Sequence, residues 1–210
     1  MNKVYIVGIG PGSEDYLLPV ARKEIKRSDV LVGGKRALAL FRDLNKEEIY
    51  LEGHFDQAIR YIEENRNRKR IAVLVSGDPG LYSFLGQISK FLKKEEYVVI
   101  PGISAIQVAF ARIGEVWQDA KIISLHGRKV DNLVTEVKAH GKIALFTDSN
   151  FPPSQIASCL LENDVENRRV VVCENLTYPD EKIVDTNLET LSQMRGFGLC
   201  VMIIEEDLER

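Results

Sequence analysis

The sequence is poor in the residues that staple, anchor or redox-couple a protein. It has three cysteines, Cys159, Cys173 and Cys200. They are far apart, odd in number, set among apolar neighbours and lack a Cys-x-x-Cys pair. They read as buried thiols of a chain kept in a reducing compartment. The three histidines, His54, His126 and His140, are not paired at a ligand spacing, so no structural zinc site is expected and no metal is assigned. No apolar run approaches the ~18 residues a membrane span needs. Val4-Tyr5-Ile6-Val7 is cut by Gly8 before it could form a signal-peptide core. The expectation is a cytoplasmic protein without membrane contact. An excess of basic residues is missing too: 28 Lys and Arg stand against 31 Asp and Glu, a net charge of -3. That balance argues against nucleic acid as a partner. A Gly/Ser linker, a low-complexity tract and a short-period repeat are likewise missing.

What remains is an ordinary globular composition, 45% hydrophobic and 28% charged over 210 residues. That length suits one large or two compact domains and buries roughly 70% of the unfolded surface, so no staple is required. Short β-branched runs alternate with helix-period segments. Val4–Val7, Val30–Val32, Ile71–Val75 and Val98–Ile100 read as strands buried on both faces. Between them Phe55, Ile59 and Ile62 share one helical face, as do Phe84, Ile88 and Phe91, and Ile106, Ala109, Phe110 and Ile113. The rhythm resumes after Asp119 with strands at Ile122–Ile123, Ile143–Phe146, Val170–Cys173, Ile183–Val184 and Leu199–Ile204, and a helix through Ile156, Leu160 and Leu161. The prediction is an α/β fold of two α/β domains with mixed, largely parallel sheets, residues 1–116 and 117–210.

In a parallel sheet, ligands bind at the carboxyl ends of the strands. Three turns there are rich in glycine. Gly8-Ile9-Gly10-Pro11-Gly12-Ser13 follows the first strand, but Ser13 stands where a dinucleotide fingerprint needs its third glycine. Pro11 removes an amide, and no acid follows the second strand, so NAD is not expected. A plain tight turn and a ligand loop both fit it. Ser76-Gly77-Asp78-Pro79-Gly80 reads as a helix start with Asp78 as N-cap and Pro79 at N1. Such a cap would also bring a carboxylate and free amides to the sheet edge. In Pro101-Gly102-Ile103-Ser104-Ala105, Ser104 precedes a predicted helix start. A nucleophile elbow would need a second glycine where Ile106 stands, so the residues give a serine hydrolase little support. Gly33-Gly34-Lys35-Arg36 lacks the upstream glycine and the Ser or Thr of a phosphate-binding P-loop. Lys35-Arg36 and His126-Gly127-Arg128-Lys129 form two basic clusters at strand ends, suited either to a carboxylated substrate or to solvent.

Together these loops resemble the tetrapyrrole methylase family. The resemblance rests on Val7–Ser13, Asp29–Arg36, Ser76–Ser83, Pro101–Ala105 through Ala109–Arg112 to Trp117–Ala120, Ser124–Arg128 and Glu174–Pro179 with Glu181. The Gly-Gly-Lys-Arg, Trp-x-Asp-Ala and Ser-Leu-His-Gly-Arg blocks point, within that family, to methylation of carbon 5 of a precorrin (cobalt-precorrin-7) in cobalamin biosynthesis. Leu18 stands where Thr precedes the first helix's proline, and Lys182 where Arg is usual.

The resemblance implies two α/β domains with the active site in the cleft between them, S-adenosyl-L-methionine as cofactor, and a homodimer. Cofactor contacts then fall at Gly77, Asp78, Leu81, Ser104 and Ala105, and in the second half at Phe146, Thr147, Asn175 and Leu176. Gly10, Pro11, Gly12 and Ser13 line the substrate side. Lys35, Arg36 and Arg128 meet the carboxylates of a corrinoid, and His126 is the candidate base. Some relatives carry a second, carbon-15 methylating and decarboxylating module; here that activity is expected on a separate polypeptide. Diphthine synthase or ribosomal-RNA-type methylation, a ligand-sensing module without catalysis, and a dehydrogenase are the competing readings.

Overall fold

The computed structural model describes residues 2–51, 55–125, 132–198 and 200–206. The chain divides into two compact units, Met1–Ala105 and Ile106–Arg210. The boundary expected at 116/117 lies beyond the end of helix α5 (Ala105–Ile113). That helix engages second-unit residues: the Phe110 ring stacks on Trp117 at 6.4 Å, and the Lys142 ammonium stands 5.9 Å from the Phe110 centroid.

The first unit contains β1 (Val4–Gly8), α1 (Pro19–Arg27), β2 (Val30–Gly33), α2 (Lys35–Ala39), β3 (Glu47–Tyr50), α3 (Phe55–Asn65), β4 (Ile71–Val75), the one-turn α4 (Leu85–Ile88) and β5 (Tyr97–Ile100). Its sheet runs β3-β2-β4-β1-β5 with every pairing parallel. The residues alternate between two cores, as the period of two demands. Val4, Ile6, Val30, Val32, Ile71 and Val73 bury against Ala58, Ile59 and Ile62 of α3. Val7, Leu31, Ala72 and Leu74 bury against Ala21 and Ile25 of α1 and Leu38 of α2. Each such Val, Leu or Ile side chain contributes about 1.5–3 kcal/mol when fully buried.

Three details depart from the sequence reading. Strand β3 has no apolar run; Glu47 instead accepts the Lys69 ammonium at 2.6 Å and the Tyr61 hydroxyl, as suits an edge strand. Strand β5 is the opposite edge and is only partly covered, with Val99 exposed. The helix expected through Phe84, Ile88 and Phe91 closes only one turn at Leu85–Ile88, with Gly86 inside it, and Phe91 is exposed although its ring touches Phe55. Helix α1 begins at Pro19 with no side-chain cap from Leu18, as the Leu in that position implies.

After α5, the second unit holds β6 (Lys121–Ser124), α6 (Leu133–Ala139), β7 (Lys142–Phe146), α7 (Pro153–Glu162), β8 (Arg169–Glu174), β9 (Lys182–Asn187), α8 (Leu188–Gln193) and β10 (Cys200–Glu205). Its sheet runs β6-β7-β10-β8-β9. Only β6–β7 is parallel there, so the parallel character resides mainly in the first unit. Chain connectivity explains this: α6 supplies a crossover between β6 and β7, whereas the short 175–181 loop can join β8 to β9 only as an antiparallel pair. Ile143, Leu145, Val170, Val172 and Met202 bury against Val137, Ile156, Leu160 and Leu191. Cys173 and Cys200 are buried, as expected, but Cys159 on α7 is only half-buried.

Candidate active site

Because the first sheet is parallel, the carboxyl ends of β2, β4, β1 and β5 lie along one edge. That edge collects Gly34–Arg36, Ser76–Gly80, Gly8–Ser13 and Pro101–Ser104. Backbone meets backbone there. A Cβ on Gly8 would stand 2.6 Å from the Gly102 nitrogen and 2.7 Å from the Gly77 oxygen. A Cβ on Gly102 would run into the Gly77 oxygen and come within 2.9 Å of Gly8 Cα. The Gly77 amide, with φ at 69°, donates to the Gly10 carbonyl at 2.8 Å. Gly8 and Gly102 are required by close approach, and Gly77 by its positive φ, since a Cβ there would meet nothing nearer than 3.7 Å.

Asp78 is not the helix cap its sequence suggests. No helix begins at Pro79; the next starts at Leu85. One carboxylate oxygen accepts the Gly80 amide at 2.7 Å, closing a turn on itself, and the other accepts the Gly102 amide at 3.0 Å. The carboxylate therefore ties the β4 loop to the β5 loop. Leu81 follows, half-buried, then Tyr82 with a left-handed φ of 47° and an exposed ring. Ser104 is buried directly before the first residue of α5, so the helix starts where the sequence places it.

Gly10, Pro11, Gly12 and Ser13 form the β1 loop. Gly10 and Gly12 are buried, and the Ser13 hydroxyl accepts the Asp15 amide at 3.2 Å, capping a short 3-10 turn at Glu14–Tyr16. Lys35 and Arg36 are exposed at the start of α2, on the same sheet edge. His126 and Arg128 lie outside the described residues.

In the second unit, Phe146 ends β7 and Thr147 follows, buried. The Thr147 hydroxyl donates to the Cys200 carbonyl at 2.9 Å and accepts the Cys200 amide at 3.1 Å, so it is committed to joining β7 to β10. Asn175 and Leu176 open the loop after β8. Asn175 is left-handed at φ 49° and Thr177 at φ 72°, with Leu176 buried between them. The Glu181 carboxylate accepts the Thr177 amide at 2.6 Å and the Arg112 guanidinium at 2.6 Å. The Arg112 fork holds Glu181 below the usual carboxylate range. Sequence reading did not single out Thr177, Glu181 or Arg112 as site residues. A β-branched residue with positive φ has no sequence signal. Among the described residues no cluster of His, Cys, Asp and Glu could hold a metal, and no helix is long and apolar enough to cross a membrane.

The family profile of the tetrapyrrole (corrin/porphyrin) methylases matches residues 3–192. The chain belongs to the tetrapyrrole methylase family. It is 36% identical to the probable cobalt-precorrin-7 C(5)-methyltransferase of Methanocaldococcus jannaschii, covering 98% of this chain and 99% of that one. The cobalt-precorrin-7 C(5)-methyltransferase of Salmonella typhimurium is 34% identical over 85% of this chain and 87% of its own. Among solved structures, the precorrin-6Y methylase of cobalamin biosynthesis from Archaeoglobus fulgidus superposes with a TM-score of 0.72 at 26% identity, covering 97% of each chain. The uroporphyrin-III C-methyltransferase of Thermus thermophilus, solved with S-adenosylhomocysteine, gives 0.79 at 20% identity over 98% of each chain, a likeness of fold. The glycine interlock and the Asp78 tie thus belong to a tetrapyrrole methylase.

Proposed function

We propose that this tetrapyrrole methylase is an S-adenosylmethionine-dependent C-methyltransferase acting on carbon 5 of cobalt-precorrin-7 in cobalamin biosynthesis. The observation that carries the reading is the near full-length similarity to two C(5)-methyltransferases, at 36% and 34% identity. The sheet edge suits the cofactor. Ser76–Gly80 and Pro101–Ser104 follow β4 and β5 at the carboxyl edge of a parallel sheet, where open α/β folds bind their ligands.

S-adenosylmethionine supplies an electrophilic methyl group, and the conjugated macrocycle supplies the carbon nucleophile. The protein's task is to align the two and exclude water, which is worth up to about 7–11 kcal/mol when the geometry is ideal. Gly77, Asp78, Leu81, Ser104 and Ala105 are assigned to the cofactor from the first unit, and Phe146, Thr147, Asn175 and Leu176 from the second. Gly10, Pro11, Gly12 and Ser13 are assigned to the substrate side. Lys35 and Arg36, exposed cations at the same sheet edge, are assigned to the corrinoid's peripheral carboxylates, together with Arg128. His126 is assigned as a base for the proton released after transfer. A homodimer and a separate carbon-15 methylating, decarboxylating enzyme complete the proposal. The precorrin-6Y C(5,15)-methyltransferase of a Sinorhizobium species, of which this chain covers 43% at 26% identity, is named for both carbons.

The test is calorimetric titration with S-adenosylhomocysteine, followed by methyl transfer to cobalt-precorrin-7. Saturable binding and a product gaining one methyl at carbon 5 are expected. No binding, with or without a tetrapyrrole present, overturns the reading.

A further inference from the structure

We propose that Glu181, itself held by Arg112, is a positioning residue that fixes Thr177 in its left-handed conformation and so sets the shape of the Asn175–Leu176 edge of the cofactor site. The inference rests on the functional reading above. Threonine is among the residues least suited to positive φ, because its branched Cβ crowds the backbone. Such a conformation persists only where surrounding contacts over-determine it, and such residues gather at binding sites.

The contacts that do so here are local and specific. Within the loop, the Tyr178 amide donates to the Asn175 carbonyl at 3.0 Å and the Glu181 amide to the Tyr178 carbonyl at 3.0 Å. The Asn175 side-chain amide donates to Asp180 at 2.7 Å. These bonds shape the turn without touching the Thr177 amide. That amide points to Glu181, whose carboxylate oxygen Oε2 accepts it at 2.6 Å. Arg112, on the last turn of α5, donates Nε to Oε1 at 2.6 Å and Nη2 to Oε2 at 3.3 Å. A planar guanidinium gripping both oxygens leaves the carboxylate one orientation, and that orientation faces the Thr177 amide. Leu176, buried between the two left-handed residues, is thereby held in place.

The experiment measures S-adenosylhomocysteine affinity by calorimetry for the full chain and for Glu181→Ala, Glu181→Gln, Thr177→Gly and the two double variants. Glu181→Ala is expected to weaken binding roughly tenfold, and Glu181→Gln less, since one acceptor oxygen remains. Glycine adopts positive φ without strain, so Thr177→Gly added to either substitution is expected to restore most of the affinity. A role confined to overall stability would lower the unfolding temperature and leave affinity and rescue unmoved. Affinity within about twofold of wild type in Glu181→Ala, or no rescue by Thr177→Gly, overturns the inference. If Glu181→Ala does not fold, Glu181→Gln with and without Thr177→Gly makes the same comparison. A wild-type protein that binds no S-adenosylhomocysteine overturns the functional reading and the cofactor half of the inference. Amide exchange at Thr177 without ligand then judges the clamp: faster exchange in Glu181→Gln upholds it, and an unchanged rate overturns it.

Discussion

The carboxylate of Asp78 accepts the backbone amide of Gly102 at 3.0 Å across 24 residues of sequence. With its second bond to Gly80, it joins the two first-unit loops assigned to the cofactor. Asp78→Ala removes both acceptors and is expected to cost about 1–3 kcal/mol of stability and to weaken S-adenosylhomocysteine binding. Asp78→Asn should do no better. Its single oxygen can serve one amide, and its NH₂ group then faces the other, donor against donor. Thermal unfolding and calorimetry on both variants check this; an asparagine variant that binds like wild type would refute the two-bond account.

Gly102→Ala tests the interlock. The added methyl would strike the Gly77 oxygen and crowd Gly8 Cα, both backbone atoms that no rotamer change can move aside. The expected cost is about 3 kcal/mol, the upper part of the overpacking range, with loss of ligand binding. Gly86→Ala is the control, because nothing lies within 4 Å of the position its Cβ would take. It should match or exceed wild type in the unfolding midpoint.

Much of this arrangement was legible in the residues, for a physical reason. Runs such as Ile71–Val75, buried on both faces, leave a strong apolar signal, and the glycine turns after them mark strand ends. Strand β3 escaped because an edge strand made of Glu47, Glu48, Ile49 and Tyr50 carries its charges outward. Asp78 was readable as a turn former, yet its bond to Gly102 depends on which strands are neighbours, and pairing order is not a local property. Thr177 shows the other limit. Its backbone is set by the Glu181 and Arg112 side chains, and no pattern within the loop announces a strained threonine.

Cysteine reactivity should divide by burial. Burial pushes the Cys173 thiol up to about 12 and the Cys200 thiol up to about 11, from an ordinary value of 9.0. Both stay neutral at pH 8, and the thiolate is the nucleophile, so iodoacetamide should modify half-buried Cys159 first. Mass spectrometry of the native protein is expected to show one rapid adduct, on Cys159, and three adducts after denaturation. The sign of the pH effect follows. A folded value raised above the unfolded one favours the native state below pH 9, and that contribution is lost as pH rises towards 11–12.

Glu205 offers a test in the opposite range. Its side chain is buried at the end of β10, with Arg169 at 2.7 Å, Lys142 at 3.1 Å and the Glu115 carboxylate beside it. Burial, and then the neighbouring Glu115 carboxylate, raise its pKa above the ordinary carboxyl value of 4.5 against the pull of Lys142. A raised carboxyl value means the folded state prefers the neutral form. The native-state advantage is therefore full below pH 4.5 and is lost as pH climbs through the folded value. Glu205→Gln supplies a permanently neutral, hydrogen-bonding replacement. At pH 7 it should raise the unfolding midpoint by roughly 1–3 °C, and the gain should shrink to nothing on acidification, where wild-type Glu205 is itself protonated. A midpoint that falls at every pH would show instead that attraction to Arg169 and Lys142 outweighs burial and the Glu115 repulsion, and that the charged form is the one the fold selects.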